Sequence, residues 1–260
     1  MQSFQNTLQK AKLRLLQLHY EVQSGHIGGN FSCIDALMTL HHCVMGADDR
    51  FVLSKGHSAG ALYVTLWSLD LLSDDDLQTF TQDNSLLPGH PSGSGIPGLL
   101  FATGSLGHGP SLAAGLALAA RHKGSEHRVF CLCSDGEWQE GSCWEALTFA
   151  IHQRLENLTI LIDQNGLQGF GRTVDVISCG DITPRITAFG ADVCKVNGHD
   201  PKAIVEAISA PSKGTLRIIV LDTVKACSLH FENQLESHYL PLSEVDYMKA
   251  RKRLEQGDGK

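Results

Sequence analysis

Two short apolar segments separated by a helical one constrain the fold of this chain more than any other feature. Residues 128–133 and 158–163 are apolar enough to form buried strands, and residues 139–153 between them have helical periodicity. A strand, a helix and a second strand in this order predict a right-handed crossover between two parallel neighbours. The sequence therefore predicts a parallel sheet.

The same alternation continues on both sides of this unit. Further strands are predicted at residues 50–54, 193–196 and 216–221. Helices are predicted at residues 8–22, at 32–44 behind a Ser32–Asp35 capping box, at 58–72, after Ser73, at 110–123, after Asp200-Pro201, and at 243–256. Residues 81–109, rich in Gly, Pro and Ser, predict a long loop. This order predicts an α/β fold, a doubly wound and mostly parallel sheet with helices on both faces, and a single domain over residues 1–260.

Charge and composition argue against several classes of partner. The 28 acidic and 21 basic residues give a net charge of −7, which disfavours nucleic acid or an anionic membrane. No run approaches the roughly 18 apolar residues of a spanning helix, and the N-terminus lacks the apolar core of a signal peptide. A cytoplasmic location is therefore expected. The eight cysteines include no C-x-x-C pair and are expected to be reduced thiols.

Polar residues follow the two strands of the central unit. One strand ends in residues 134–137, Ser-Asp-Gly-Glu, and the other in residues 163–166, Asp-Gln-Asn-Gly. Asp135 and Asn165 should therefore meet at the carboxyl edge of the sheet, where open parallel sheets bind ligands. A carboxylate and an amide oxygen suit Mg²⁺ or Ca²⁺, and Gly136 allows a phosphate to approach the backbone. The residues suggest a metal-bridged diphosphate, although each tetrapeptide alone is also typical of an ordinary turn.

This arrangement resembles the metal fingerprint of thiamine-diphosphate enzymes, with Ser134 in place of its first glycine. Residues 134–141 and 144–146, S-D-G-E-W-Q-E-G and W-E-A, are similar to the transketolase family in particular. Four more segments resemble motifs of that family in the right order: residues 24–29 (S-G-H-P-G-G, with Ile27 for proline), 53–57 (L-S-K-G-H), 89–91 (G-H-P) and 103–109 (T-G-[SP]-L-G-Q-G, with His108 for glutamine). The T-x-K-G-x-G segment of the family is replaced by residues 223–228, where Ala226 and Ser228 stand for its glycines.

The resemblance implies thiamine diphosphate as cofactor, with Mg²⁺ as the metal and Ca²⁺ or Mn²⁺ as alternatives. Asp135, Asn165 and the carbonyl of Leu167 would hold the metal. The resemblance also implies a set of cofactor contacts: His57 and His238 at the diphosphate, Gly136 and Glu137 in the fingerprint, and Gly104 and Leu106 beside the thiazolium ring. The residues expected to act in catalysis are His26, His57, His90, Glu140 and His238, with His26 and His90 facing the substrate and Glu140, near Glu145, at a partner interface.

The resemblance covers only the first part of a transketolase. The glutamate that activates the cofactor lies in a second domain of that family, and this chain ends at Lys260, where that domain would begin. We therefore expect the N-terminal subunit of a split transketolase. A partner chain would carry the pyrimidine-binding and C-terminal domains in an α₂β₂ assembly, and a two-carbon ketol unit would pass from a ketose or its phosphate to an aldose.

Two alternatives remain open from the sequence. The first is the α chain of a 2-oxo-acid dehydrogenase or decarboxylase, which shares the metal fingerprint. The second is a cofactor-binding partner without activity of its own, which the departures at Ile27, His108 and Ala226 would fit.

Overall fold

A computed structural model describes residues 2–93, 95–178 and 180–256. Seven strands are present in these ranges: β1 (Arg50–Leu53), β2 (Val129–Ser134), β3 (Leu158–Gln164), β4 (Leu167–Gln168), β5 (Gly171–Arg172), β6 (Asp192–Asn197) and β7 (Arg217–Asp222). Ten α-helices accompany them in these ranges: α1 (Gln2–Val22), α2 (Ile27–Thr39), α3 (Ala59–Trp67), α4 (Asp74–Gln78), α5 (Gly109–His122), α6 (Gly141–His152), α7 (Thr173–Val176), α8 (Ile182–Ala188), α9 (Pro201–Ser209) and α10 (Glu244–Gln256).

Five strands form one parallel sheet in the order β1-β2-β3-β7-β6, and β4 and β5 form a separate antiparallel hairpin. The predicted crossover is confirmed, because β2 and β3 are parallel neighbours, with Ser134 in register with Asp163. The central strands β2, β3 and β7 are buried along most of their length, as a sheet covered on both faces requires.

Alternate residues of the strands pack into two separate hydrophobic cores. Phe130 and Leu132 of β2 join the core that contains α1, α2 and α3. Cys131 and Cys133 of the same strand join the core that contains α5 and α6. Because neighbouring side chains of a strand point to opposite faces, helices cover both faces of the sheet, and the predicted doubly wound α/β fold is confirmed.

The helix predicted from Ser32 begins earlier than its capping pattern suggests. Helix α2 starts at Ile27, directly after His26, whose backbone is left-handed with φ 66°. Ser32 lies inside the helix and its hydroxyl donates to the carbonyl of Gly29, so the capping-box prediction is wrong. All thirteen residues of α2 are buried, and this packing overrides the local signal. A π-helical turn, Leu40–Val44, continues the helix to its predicted end.

Other local predictions are confirmed. Ser73 forms a capping box with Asp76 at the start of α4, and Asp200 caps α9 in front of Pro201. Apart from Ser94, which lies outside the described residues, residues 81–108 form a loop without helix or strand. No helix in the described ranges is long and apolar enough to cross a membrane.

Candidate cofactor and metal site

A cleft of about 260 Å³ opens at the carboxyl edge of the sheet, beside the ends of β2 and β3. The β4–β5 hairpin and the loops after β1, α4 and β7 complete its walls. Both residues predicted to meet at this edge, Asp135 and Asn165, line the cleft. Its other lining residues are His26, Gly29, His57, His90, Gly104, Leu106, Ser134, Gly136, Leu167, Gln168, Gly169, Phe170, Lys225, His238 and Tyr239.

Asp135 is a buried carboxylate that only neutral donors contact. Its oxygens accept hydrogen bonds from the backbone N–H groups of Gly136 and Gly166, both at 2.8 Å, and from the hydroxyl of Thr173 at 3.1 Å. No Lys or Arg in the described ranges lies within ion-pair distance of it, and burial, followed by the charge of Asp163, raises the pKa of its carboxyl. A bound cation would offset the cost of this buried charge.

Asn165 and Leu167 present two further oxygens at the same edge. The side-chain oxygen of Asn165 accepts the N–H of Leu167 at 3.1 Å, and the Leu167 carbonyl accepts from Lys225 Nζ at 2.8 Å. Across the described residues there is no cluster of three or more His, Cys, Asp or Glu side chains that would hold a metal. A carboxylate, an amide oxygen and a carbonyl form a hard oxygen set that fits Mg²⁺, so the donors agree with the implied metal.

Four histidines from four separate loops converge in the cleft. The ring centroid of His26 lies 4.9 Å from that of His238, 5.6 Å from that of His57 and 5.7 Å from that of His90. The backbone N–H of His26 donates to the carbonyl of His238 at 2.9 Å, which joins the start of α2 to the loop after β7. Residues 26 and 238, far apart in sequence, are therefore fixed relative to each other.

Burial keeps these imidazoles neutral. It lowers the pKa of His26 from 6.5 to about 4 and the pKa of His238 to about 3, and nearby positive charges act in the same direction. Burial also lowers the pKa of His57 well below 6.5, and desolvation lowers the pKa of the exposed His90. At pH 7 each ring therefore has one N–H donor and one acceptor nitrogen.

Two lysines supply positive charge to this region. Lys55, fully buried, forms an ion pair with Asp163 and also donates to the carbonyl of Gly29 at 3.0 Å. Lys225 lies in the wall of the cleft, where it donates to Leu167 and lies 3.0 Å from His238 Nδ1. An ammonium group among neutral imidazoles and backbone N–H groups is suited to an anion such as a diphosphate.

Comparison with known proteins identifies the family of this chain. Residues 11–258 match the family described as transketolase, thiamine diphosphate binding domain. The chain belongs to the transketolase family. Its cofactor is therefore thiamine diphosphate, and the oxygen set and positive charge of the cleft between β2 and β3 agree with a metal-bound diphosphate.

Two relatives of similar length are named as transketolase subunits. One subunit of the apulose-4-phosphate transketolase of Phocaeicola vulgatus is 38% identical over 206 residues, which cover 76% of this chain and 73% of the relative. The 6-deoxy-6-sulfo-D-fructose transketolase subunit SqwG of a Clostridium species is 33% identical, covering 89% of this chain and 88% of the relative. Both are similar to this chain over most of their length.

A solved transketolase from Leishmania mexicana has the same fold. It superimposes with a TM-score of 0.88 at 28% sequence identity, over 97% of this chain. The match covers only 41% of the Leishmania protein, so this chain spans less than half of a transketolase of that length.

Within this transketolase chain, the predicted site residues fall into two groups. Ten of them line the cleft together: His26, His57, His90, Gly104, Leu106, Asp135, Gly136, Asn165, Leu167 and His238. Glu137 and Glu140 do not line it. The binding and catalytic roles of all of these residues stay predictions.

Glu137 is buried next to the cleft and does not line it. Its carboxylate is fully buried and accepts from the hydroxyl of Ser54, from the N–H of Gly107 at 2.8 Å and from the N–H of Ser134 at 3.2 Å. Glu137 does not line the cleft in this structure, and the prediction that it contacts the cofactor stays a prediction. Glu137 instead joins the loop after β1, the loop that contains Gly107 and the end of β2, because its carboxylate accepts from a donor of each.

Glu140 lies on the surface at the start of α6. It is exposed, and it packs beside Gly107, where its side chain leaves no room for a Cβ atom. Glu145, further along α6, is also exposed. These positions are accessible to a partner chain, and the predicted interface role remains a prediction.

The segment that lacks the family's glycines keeps a glycine-like backbone. Ala226 and Ser228 have φ values of 58° and 70°, in the left-handed region that glycine adopts most easily. The N–H of Ala226 donates to the carbonyl of Gly28 at 3.0 Å, which holds this loop against α2. Tertiary contacts thus impose the conformation that the sequence alone does not favour.

Sequence reasoning missed Lys55, Lys225 and Asp163 as parts of the site. Lys55 lies within the L-S-K-G-H segment, and Asp163 comes two residues before Asn165 at the end of β3. A lysine and an aspartate at positions expected to be buried would have indicated an ion pair, since these residues are rarely fully buried without an oppositely charged partner.

Proposed function

We propose that this chain is the metal- and diphosphate-binding subunit of a two-component transketolase. The observation that carries the proposal is the convergence of Asp135, Asn165 and the Leu167 carbonyl with four neutral histidines in one cleft. Relatives of similar length that are named as transketolase subunits support the division into two chains. They also favour ketol transfer over the 2-oxo-acid dehydrogenase alternative.

Different residues of the cleft would bind the metal and the diphosphate of the cofactor. Asp135, Asn165 and Leu167 would bind the metal, while His57, His238 and Lys225 would face the diphosphate. When bound, thiamine diphosphate supplies the carbanion chemistry that breaks and forms the carbon–carbon bond of a sugar. Gly104 has φ +137° and packs against the ring of His90, so a side chain there would displace a histidine of the cleft.

The histidines would hold the sugar and move protons. The Nδ1 atom of His26 is buried and has no hydrogen-bond partner in the described part of the chain, so its hydrogen-bonding capacity is unused by these residues. His90 is exposed, and its ring centroid lies 5.7 Å from that of His26. Neutral rings at both positions would act as general acid or base on a hydroxyl proton near pH 7.

We propose a ketose with an anionic terminal group as the donor. The names of the two relatives of similar length specify a sugar phosphate and a sulfonated sugar.

The partner chain would supply the pyrimidine-binding and C-terminal domains, contact Glu140 at its interface, and assemble as α₂β₂ with this chain. A single domain over residues 1–260 and a cytoplasmic location stay predictions that belong to this proposal.

The test is an activity assay of the chain alone and together with a partner chain that carries the pyrimidine-binding domain. Transfer of a two-carbon unit from a ketose phosphate such as fructose 6-phosphate to an aldose is followed in the presence of Mg²⁺ and thiamine diphosphate. We expect no turnover by either chain alone and turnover by the mixture. A mixture that forms a stable complex and binds the cofactor, yet transfers nothing, would favour the alternative of a chain without activity of its own.

A further inference from the structure

The side-chain amide of Asn165 donates a hydrogen bond to the buried carboxylate of Asp163. Asp163, two residues earlier on β3, has no exposed surface. Its oxygens accept hydrogen bonds from four side chains: Ser32, Lys55, Asn165 and Thr223. Three of these four donors come from other parts of the chain, which fixes the carboxylate in place.

These contacts determine which end of the Asn165 amide faces the cleft. Its NH₂ group donates to Asp163 at 3.2 Å and to the Ser32 hydroxyl at 3.3 Å. Its oxygen accepts the N–H of Leu167 at 3.1 Å. In the flipped orientation the amide oxygen would face a carboxylate, and the NH₂ group would face an N–H donor. Only the observed orientation satisfies both ends of the amide.

The orientation matters because only the oxygen is a metal ligand. An NH₂ group turned toward the cleft would repel a cation and remove one of the three predicted ligands. Groups that orient a metal ligand in this way are as much a part of a metal site as the ligand itself.

We infer that Asp163, together with Ser32, is a positioning group that fixes the Asn165 amide with its oxygen toward the metal. This inference rests on the proposed function, since it assumes that Asn165 binds a divalent cation. Lys55 is the counter-ion that makes a buried carboxylate tolerable at this position. Through its second bond, to the carbonyl of Gly29, the same lysine links the metal site to the residue that packs against the His57 ring.

The test compares two double variants that each remove one ion pair. Lys55→Met with Asp163→Leu removes the positioning carboxylate without leaving a lone buried charge. Asp49→Leu with Arg128→Met removes an ion pair at the opposite end of the sheet, where β1 and β2 begin. The dissociation constant of Mn²⁺, used as a spectroscopic probe for Mg²⁺, is measured by electron paramagnetic resonance with thiamine diphosphate present. Circular dichroism reports on the fold.

We expect Lys55→Met/Asp163→Leu to weaken Mn²⁺ binding about 10- to 100-fold, the range for loss of a group that orients a metal ligand. The control pair should leave it within about threefold. A folded Lys55→Met/Asp163→Leu protein with wild-type affinity overturns the inference. If wild-type protein itself binds no Mn²⁺ with the cofactor, the proposed function fails instead, so the two failures are distinguishable.

A single variant covers the case in which the double variant does not fold. Ser32→Ala keeps the Lys55–Asp163 ion pair and removes one acceptor of the Asn165 NH₂ group, together with the hydrogen bonds that the Ser32 hydroxyl donates to Asp163 and to the carbonyl of Gly29. Loss of the acceptor should weaken Mn²⁺ binding about three- to tenfold. Folded Ser32→Ala protein with unchanged affinity, and with the side-chain amide signals of Asn165 unchanged by nuclear magnetic resonance, overturns the inference as well.

Discussion

At the scale of single residues, several positions keep a conformation or a charge state that is costly in isolation. Four histidine rings share a cleft without protonation because burial disfavours their charged forms. Ala226 and Ser228 adopt left-handed backbone without being glycine. Such positions persist where surrounding contacts enforce them, and they are common where a binding site needs a particular geometry.

The left-handed backbone of Ser228 gives a direct prediction. Ser228→Gly should raise the free energy of unfolding by about 0.5–1 kcal/mol, because a non-glycine residue in this region costs roughly 1–2 kcal/mol, partly offset by the greater freedom of glycine in the unfolded chain. Ser111→Gly, at an exposed position inside α5, should lower it by about the same amount. Urea unfolding measures both variants. Two changes of the same sign would contradict the assignment of strain to Ser228.

At the scale of elements, the β4–β5 hairpin positions one of the predicted metal ligands. It begins at Leu167, and its tip is anchored by the Tyr239 hydroxyl, which donates to the carbonyl of Gly169 at 2.6 Å. Phe170 at the tip is 86% exposed, so its ring does little to hold the tip in place. The hydrogen bond from Tyr239 therefore restrains the tip, while Lys225 and Gln139 contact the first strand of the hairpin.

Tyr239→Phe should loosen the hairpin. We expect faster amide hydrogen exchange over residues 167–172 and about threefold weaker binding of thiamine diphosphate, as loss of one hydrogen bond implies. Tyr20→Phe is the matched control, because Tyr20 of α1 stacks on Tyr247 of α10 and does not line the cleft. Unchanged exchange in Tyr239→Phe would show that the hairpin is held by other contacts.

Some features of the elements could be predicted from the sequence, whereas others depend on contacts between residues that are distant in the chain. The spacing of Asp135 and Asn165 placed both at one sheet edge, because one strand–helix–strand unit separates them. The pattern around Ser32 failed as a helix start, because the burial of residues 27–31 is decided by tertiary packing. Glu137 belongs to a recognisable motif, but the direction of its side chain depends on Ser54 and Gly107, which are distant in sequence.

At the scale of the whole molecule, buried histidines make stability depend on pH. Burial lowers the pKa of His19, His26 and His41 from 6.5 to about 4, and that of His238 to about 3. Below pH 6.5 the unfolded chain therefore binds more protons than the folded chain, so acid favours unfolding. Their contribution is fully present above pH 6.5 and is lost as the pH falls toward 4.

The urea midpoint should accordingly fall steadily between pH 6.5 and pH 4.5. Above pH 6.5 His199 acts in the opposite direction: burial disfavours its charged form, but the hydrogen bond to Asp35 leads the interactions that together outweigh burial and raise the pKa of His199 from 6.5 to about 10, so its contribution to stability is lost as the pH rises from 7 toward 10. Unfolding curves at half-unit steps of pH measure this slope. A midpoint that stays level or rises as the pH falls from 6.5 to 4.5 would mean that these rings are already protonated in the folded protein.

We expect the cleft between β2 and β3 to hold thiamine diphosphate through a divalent metal bound at Asp135. Isothermal titration calorimetry of the isolated chain with thiamine diphosphate tests it, with Mg²⁺ or with a chelator, for wild type and for Asp135→Asn. We predict binding that requires Mg²⁺ and is more than about 100-fold weaker in Asp135→Asn, beyond the loss expected for a residue that only supports a ligand. Equal binding with the chelator, or wild-type affinity in folded Asp135→Asn protein, would contradict metal-dependent binding at Asp135.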